Sequence, residues 1–309
     1  MNFKNAIDSI YNYRKDNIII GLTGRTGSGC STAAKILSTE LFNNLSLNTS
    51  KDITDNYLAN EEVLRNKVIS DYLSTEDRWK RFNIIEVSAV ILTFVLDGGK
   101  ENLINYINNL NQEKGLKKEI SIGSIDQIHI VVKNLNKYFE EIKKYNLENI
   151  STINTDKLND YLKFYLSTIL IFKQAFKSEL NKISCYETIR TDDGIKTSKL
   201  NLYTFLMQKL GNNLRSSGNC YDESIGGTFT NIIVDRIDKI IDIIGRCEGN
   251  KRVCIDALRN PMEILYFKDR YKRYYTFSIN VDEDERCRRL STLSNEELQN
   301  LDKVEYPQK

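Results

Sequence analysis

A glycine-rich segment is the part of this sequence whose residue types and spacing suggest chemistry most directly. Residues 24–32 are GRTGSGCST, a GxxxxG pattern followed by Ser31. Glycines let consecutive backbone N–H groups turn toward a phosphate, and a helix beginning beside them adds the positive end of its dipole. The hydroxyl of Ser31 is suited to a phosphate-bound Mg²⁺. The predicted phosphate-binding residues are Gly24, Arg25, Thr26, Gly27, Ser28, Gly29, Cys30, Ser31 and Thr32.

Position 30 departs from this motif, because it holds a cysteine where a lysine normally neutralises the β- and γ-phosphates. A thiol does not supply that positive charge, and losing it costs much of the electrostatic stabilisation of phosphoryl transfer. Three hypotheses follow. The loop binds a nucleotide without hydrolysing it, which we favour; or Arg25 or a distant arginine replaces the lysine in a working kinase; or the loop only packs a strand against a helix.

Three further residues are predicted to carry chemistry beside the loop. Asp256 ends a predicted buried strand, at the carboxyl edge where open α/β sheets bind ligands, and together with Ser31 is the predicted Mg²⁺ ligand. Arg259 lies three residues further on and is suited to a phosphate or to a salt bridge with Asp256. Arg215, in LGNNLRSSG, either faces the cleft or is solvated at a helix end. For Asp256 the alternative roles are a helix cap and a salt bridge.

Other conspicuous residues have simpler interpretations. The favoured interpretation of Arg286, Arg288 and Arg289 is a charged helix face, and the alternative is a phosphate lid. His129, the only histidine, lies in the apolar stretch IDQIHIVV and is predicted to be a buried or half-buried structural residue. The six cysteines include no CxxC pair, which argues against a zinc site, and the presence of one histidine argues against His-based triads and HExxH hydrolases.

Alternating strands and helices must position the loop. Buried strands are predicted at Asn17–Leu22, Phe82–Val87, Arg252–Asp256 and Tyr274–Asn280, with helices between them. This alternation predicts an α/β fold, with a parallel sheet and helices on both faces. Residues 1–100 and 185–309 form the two parts of the predicted core, the second ending in a charged helix. Residues 101–184 show helical periodicity and are predicted to be a helical insertion that serves as a lid or partner surface.

Composition limits the range of partners. The 309 residues carry 44 Lys and Arg against 42 Asp and Glu, a formal charge of +2, so no global field draws the chain to nucleic acid or an anionic membrane. No apolar run approaches the roughly 20 residues of a membrane span. The N-terminal segment lacks the apolar core of a signal peptide. We therefore expect a cytoplasmic protein that binds a nucleotide at a local site and contacts neither membrane nor nucleic acid.

Several stretches resemble a known family. IIIGLTGRTGSGCSTAAKIL resembles the opening of the nucleoside-monophosphate kinase and dephospho-coenzyme A kinase group of P-loop NTPases, with Cys30 in place of the lysine. LMQKLGNNLR is similar to a helix that carries a phosphate-contacting arginine in deoxynucleoside-monophosphate kinases, and the segment from VCIDALRNPMEI onward resembles the end of that fold. The resemblance implies a nucleotide-kinase-like fold with a Mg²⁺-bound nucleoside triphosphate or deoxynucleotide as cofactor. The resemblance also implies catalytic roles for Asp256, Arg259 and Arg215.

A second resemblance is to the P-loop domain that precedes the deaminase domain in bacterial anti-phage deoxycytidine-nucleotide deaminases. It rests on RNPMEILYFKDRY and on the WKRF segment Trp79–Phe82. No deaminase motif is present, because His129 is followed by Ile130 and Val131 and there is no PCxxC. This resemblance implies a nucleotide sensor or regulator of anti-phage defence: the chain is either the nucleotide-sensing half alone or an analogous half whose effector is a separate protein.

Two rival functions belong to other classes. One is an active (deoxy)nucleoside-monophosphate or dephospho-coenzyme A kinase that uses arginines in place of the missing lysine; phosphoryl transfer from ATP would establish it. The other is a non-catalytic protein whose long helices form homo-oligomers or dock an effector protein, and a stable oligomer that binds no nucleotide would favour it.

Overall fold

The computed structural model describes residues 17–42, 57–75, 78–112, 118–142, 155–192, 194–224 and 231–291, and Leu298. In chain order its strands are β1 (Asn17–Thr23), β2 (Asn83–Glu86), β3 (Lys118–Ile122), β4 (Cys185–Thr191), β5 (Gly194–Leu200), β6 (Lys251–Asp256) and β7 (Tyr274–Ser278). Its α-helices are α1 (Cys30–Leu37), α2 (Tyr57–Leu73), α3 (Val87–Gly98), α4 (Lys100–Gln112), α5 (Ile125–Asn134), α6 (Asn136–Ile142), α7 (Thr155–Lys163), α8 (Leu170–Leu180), α9 (Leu202–Ser216), α10 (Ile232–Glu248), α11 (Pro261–Arg270) and α12 (Glu283–Arg289). A π-helical turn, Phe164–Ile169, joins α7 to α8.

The predicted α/β fold is confirmed. β1, β2, β6 and β7 form a parallel sheet in the order β2-β6-β1-β7, so strands distant in sequence become neighbours through helical crossovers. All four correspond to the predicted strands, with ends shifted by one or two residues. β1 is central, and its carboxyl end therefore lies between the ends of β6 and β7.

The two faces of this sheet bury different apolar sets, as the alternation of side chains along a strand requires. Ile20 and Leu22 of β1 and Cys254 of β6 pack with Ala34 of α1 on one face. Ile19 belongs to the large core on the other face. That core also holds the buried stripe of α10, whose isoleucines recur at helical spacing. Helices thus cover both faces of the sheet, and the loop before α1 is fixed at its carboxyl edge.

The helices of residues 101–184 pack into that same large core. α3 is buried over almost its whole length, from Val87 to Leu96, and forms the centre against which they lie. In α8, Phe172 is fully buried and its ring lies 5.3 Å from that of Tyr138 and 5.5 Å from that of Phe176, measured between centroids. The segment is therefore tied by apolar packing to the sheet that carries the glycine loop.

A second sheet was not predicted. β3, β4 and β5 form an antiparallel sheet in that order, and β3 lies inside the segment 101–184 that the sequence indicates to be helical. β3 has five residues, of which Ile120 and Ile122 alternate into the core. An alternation this short does not stand out between helices with strong periodicity.

The structure also places His129 and Trp79. His129 is exposed on α5, so its predicted burial is wrong: Ile128, Val131 and Val132 occupy the inward positions of that helix. Trp79 is half-buried and donates its ring N–H to the carbonyl oxygen of Thr39 at 2.7 Å. A helix that the sequence predicts from Phe3 to about Arg14 lies outside the described residues.

Among the helices of the described residues, none is long and apolar enough to cross a membrane.

Candidate phosphate and metal site

The loop between β1 and α1 has the backbone that its glycines permit. Gly27 and Gly29 have φ values of 86° and 110°, a region that residues with a side chain rarely adopt. Gly24 has another constraint, because a Cβ there would lie 2.4 Å from the carbonyl oxygen of Ile279, just beyond β7. The loop closes through a hydrogen bond from the Ser28 N–H to the Arg25 carbonyl oxygen at 3.0 Å.

The start of α1 offers backbone donors at the mouth of the loop. The N–H of Ala33 donates to the carbonyl oxygen of Gly29 at 3.0 Å, forming the first bond of the helix. The N–H groups of Cys30, Ser31 and Thr32 precede that bond and so have no acceptor within the helix. No acidic residue lies in the first turn of α1. This end of the helix therefore has the polarity that an anion requires.

Ser31 and Asp256 meet beside these donors, as predicted. The Ser31 hydroxyl donates to Oδ2 of Asp256 at 2.7 Å. Asp256 is only 4% exposed, and its other oxygen, Oδ1, has no hydrogen-bond partner among the described residues. Burial raises the pKa of Asp256, and the nearby charge of Glu86 raises it further; the Ser31 hydrogen bond, Lys173 and Arg259 act in the opposite direction. A buried carboxylate oxygen without a donor is suited to a cation.

The donor set fits Mg²⁺ bound to a nucleotide. Mg²⁺ prefers oxygen ligands and usually takes only one or two from protein, the rest coming from phosphates and water. The Ser31 hydroxyl and the Asp256 carboxylate supply that number. In the described residues, no group of three or more His, Cys, Asp and Glu side chains could hold a metal without such help.

Cys30 faces inward, and its side chain is neutral. Its Sγ lies 3.5 Å from the Ser28 hydroxyl oxygen, and the residue is 8% exposed. Burial raises the pKa of the Cys30 thiol above its usual value of 9.0, although the Ser28 hydrogen bond lowers it in part. Position 30 therefore provides no charge of either sign at neutral pH.

The structure brings Arg259 to the loop. Arg259 donates from Nη2 to the Thr26 hydroxyl at 3.0 Å. Arg25 donates to Oε2 of Glu283 at 2.6 Å, which directs it toward α12.

Arg215 has a different position. Its Nε donates to Oε1 of Glu263 in the first turn of α11 at 2.7 Å, and Glu263 is 1% exposed. None of the hydrogen bonds and ion pairs seen in the described ranges joins Arg215 to the glycine loop. Its predicted role at the site stays a prediction.

The arginines of α12 brace the loop. Arg286 is fully buried and donates to the carbonyl oxygen of Thr26 at 2.8 Å and to Glu283 at 2.9 Å. Nη1 of Arg289 lies 3.4 Å and 3.3 Å from the carbonyl oxygens of Gly27 and Ser28. The predicted charged face of this helix is therefore wrong for Arg286, whose guanidinium satisfies a loop carbonyl inside the protein. It holds for Arg288, which is exposed and pairs with Glu285.

Two charged residues at this edge were missed in the sequence. Glu86 ends β2 and is the register partner of Asp256 on the neighbouring parallel strand. Lys173 of α8 forms an ion pair with Glu86. The rule that identified Asp256, an acidic residue at the end of a buried strand, also applies to Glu86. No local signal marks Lys173, because only tertiary packing brings α8 to the sheet.

Comparisons with family models, with curated proteins and with solved structures returned no match to this chain.

Proposed function

We propose that this protein binds the phosphates of a Mg²⁺-complexed nucleotide in the glycine loop between β1 and α1. One observation carries the proposal: at the mouth of the loop, buried Asp256 accepts a hydrogen bond from the Ser31 hydroxyl, and its second oxygen has no hydrogen-bond partner in the part of the chain that the structure describes. In this arrangement a metal ion would satisfy the buried oxygen, while the loop N–H groups would hold the phosphates.

The role we favour is that of a (deoxy)nucleotide sensor with impaired phosphoryl transfer. The neutral side chain of Cys30 supports impaired phosphoryl transfer, because phosphoryl transfer depends on cations around the developing charge. The likeness of RNPMEILYFKDRY and WKRF to anti-phage deaminases supports the role of nucleotide sensor. A separate effector protein would then convert binding into a response.

Calorimetric titration tests this function directly. Ribo- and deoxyribonucleoside mono-, di- and triphosphates are titrated into the chain in Mg²⁺ or in EDTA, and each solution is analysed for products. We expect at least one nucleotide to bind with Mg²⁺ and to be recovered unchanged. Recovery of a phosphorylated product would make the protein a kinase. Absence of binding by the folded chain to every nucleotide would refute the proposal.

The variant Ser31→Ala tests the metal in that titration. It removes one predicted Mg²⁺ ligand, so we expect nucleotide affinity to fall about 10-fold in Mg²⁺ and to change little in EDTA. Ser38→Ala is the control. Ser38 lies just beyond the other end of α1, where its hydroxyl donates to the Lys35 carbonyl oxygen. This variant should bind nucleotide like the wild type. Equal losses with and without Mg²⁺ would contradict the role of Ser31.

A further inference from the structure

The glycine loop lacks a positive charge at the position where phosphate-binding loops carry lysine. Arginines surround it, but each is engaged with a protein partner: Arg25 with Glu283, Arg259 with Thr26, and Arg289 with Glu285 and two loop carbonyls. These contacts fix the loop and α12 to each other. The loop also has a side that faces β6 and β2.

Lys173 brings a cation to that side. Glu86 and Asp256 are register partners at the carboxyl ends of adjacent parallel strands, so their side chains project to the same side of the sheet. Lys173 forms an ion pair with Glu86, and Asp256 binds Ser31 of the loop. The Lys173–Glu86 ion pair and the Asp256–Ser31 hydrogen bond therefore lie at the ends of neighbouring strands, which places the Lys173 ammonium group at the edge of the sheet where α1 begins.

Both members of the ion pair are partly exposed. The Lys173 side chain is 25% exposed and that of Glu86 is 26% exposed, so both remain accessible to a ligand.

The helix that carries Lys173 is firmly placed. Phe172 and Phe176 are fully buried on either side of it in α8, which anchors the backbone. The lysine side chain has a flexible four-carbon stem and three rotatable donors, so it changes partner without a movement of the helix. Lys173 is therefore a mobile cation on a rigid support.

We propose that Lys173 supplies the positive charge that Cys30 does not, turning from Glu86 to the terminal phosphates of a bound Mg²⁺–nucleoside triphosphate. Glu86 then holds the lysine in place while the site is empty. The inference rests on the proposed nucleotide-binding function and adds to it that α8, in the helical segment 101–184, forms part of the phosphate site.

The variant Lys173→Met tests this assignment through its selectivity among nucleotides. We expect the affinity for the nucleoside triphosphate to fall about 10-fold or more, and that for the monophosphate of the same nucleoside to fall less, since a charge-assisted hydrogen bond to the terminal phosphates is lost. Lys177→Met is the matched control: Lys177 lies one turn later on α8, is exposed, and approaches the ring of Tyr203. It should bind both nucleotides like the wild type.

Two further variants separate charge from folding. Glu86→Gln combined with Lys173→Met removes the Glu86 carboxylate that the single variant leaves without its lysine, so it retains the fold if the single variant does not, and it should show the same selective loss. Cys30→Lys in the Lys173→Met background should regain triphosphate affinity, because it restores a cation at the loop by the usual route. Circular dichroism confirms that each variant is folded.

The outcomes that overturn the assignment are distinct from failure of the proposed function. Unchanged triphosphate affinity in folded Lys173→Met, an equal loss for mono- and triphosphate, or a similar loss in Lys177→Met would each refute the role of Lys173 while nucleotide binding stands. Failure of the wild-type chain to bind any nucleotide would refute the proposed function, and with it this inference, before a variant is measured.

Discussion

Gly29 is constrained both by its backbone conformation and by its place in the proposed phosphate site. Its φ of 110° is unfavourable for any residue with a side chain, and a Cβ there would lie 3.2 Å from Nη1 of Arg289, over the loop. We expect Gly29→Val to abolish nucleotide binding, because the side chain fills the space of the phosphate, and to lower the free energy of unfolding by about 1–2 kcal/mol.

The control for this variant is Gly249→Val. Gly249 has a φ of 69° at the end of α10, and a Cβ there would have no atom within 4 Å. It should show a similar loss of stability in urea unfolding and normal nucleotide binding by calorimetry. Normal binding by Gly29→Val would mean that the loop does not hold the phosphates.

Asp256 should make stability depend on pH in an unusual direction. Because its pKa in the folded chain is raised above the ordinary 3.8, mainly by burial, the folded state keeps this proton to higher pH than the unfolded state does. The contribution of Asp256 to the free energy of unfolding therefore falls as pH rises from 3.8 through the raised pKa, and the cost persists at neutral pH.

The variant Asp256→Asn measures that cost. At about pH 7 and without ligand, we expect this variant to unfold at a higher urea concentration than the wild type. Its free energy of unfolding should be higher by about 1 kcal/mol, because a buried charge with an unpartnered oxygen is removed. The difference should vanish below pH 3.8, where both states of the wild type are protonated. With Mg²⁺ and nucleotide present, the wild type should gain more stability than the variant, because only the wild type keeps the metal-binding carboxylate proposed here. A variant less stable than the wild type at neutral pH would contradict this account of Asp256.

At the scale of elements, helix α8 links the helical segment to the sheet, and this link is testable. Phe172 is fully buried against Tyr138, Phe139 and Phe176. We expect Phe172→Ala to lower the free energy of unfolding by about 3–5 kcal/mol, through lost burial and a cavity. Ile171, its neighbour in sequence, is 52% exposed, so Ile171→Ala should change it by less than about 0.5 kcal/mol in the same urea experiment. Similar values for the two variants would show that α8 does not pack as described.

The sequence was sufficient for the elements whose pattern is local. β1 and β6 are continuous apolar runs bounded by polar residues, and α10 has a clear apolar stripe, so their types and approximate ends followed from periodicity. β4 was beyond this method, since only alternate residues near its start are buried and the rest are exposed. Its pairing with β3 joins residues more than sixty positions apart, which no local window detects.

The site shows the same division. Gly29, Ser31 and Asp256 were predicted because a loop motif and a strand end are visible in one short window each. The burial of Arg286 depends on a carbonyl oxygen of Thr26, and the position of Lys173 depends on the packing of α8. Side chains that reach a site from a distant helix leave no mark in the neighbouring sequence.

At the scale of the whole molecule, the proposed binding of a nucleotide has to rely on local attraction. The formal charge of +2 provides no long-range field, so binding should depend on the ordered loop, the metal and a few nearby cations. The parallel sheet brings these together, because it places the ends of β1, β2, β6 and β7 at one edge. In the proposed site, helices from both halves of the chain contribute together: α1, α8 and α12.

Binding of Mn²⁺, which replaces Mg²⁺ and is visible by electron paramagnetic resonance, tests the central claim most directly. The nucleotide that binds best is mixed with Mn²⁺, and the further loss of free Mn²⁺ signal when the chain is added, beyond that caused by the Mn²⁺–nucleotide complex alone, reports the ternary complex. We predict that the wild type and Asp126→Asn, a change at an exposed aspartate on α5, form this complex and that Asp256→Asn does not. A ternary complex of undiminished strength in folded Asp256→Asn would contradict the assignment of the metal to the Ser31–Asp256 pair.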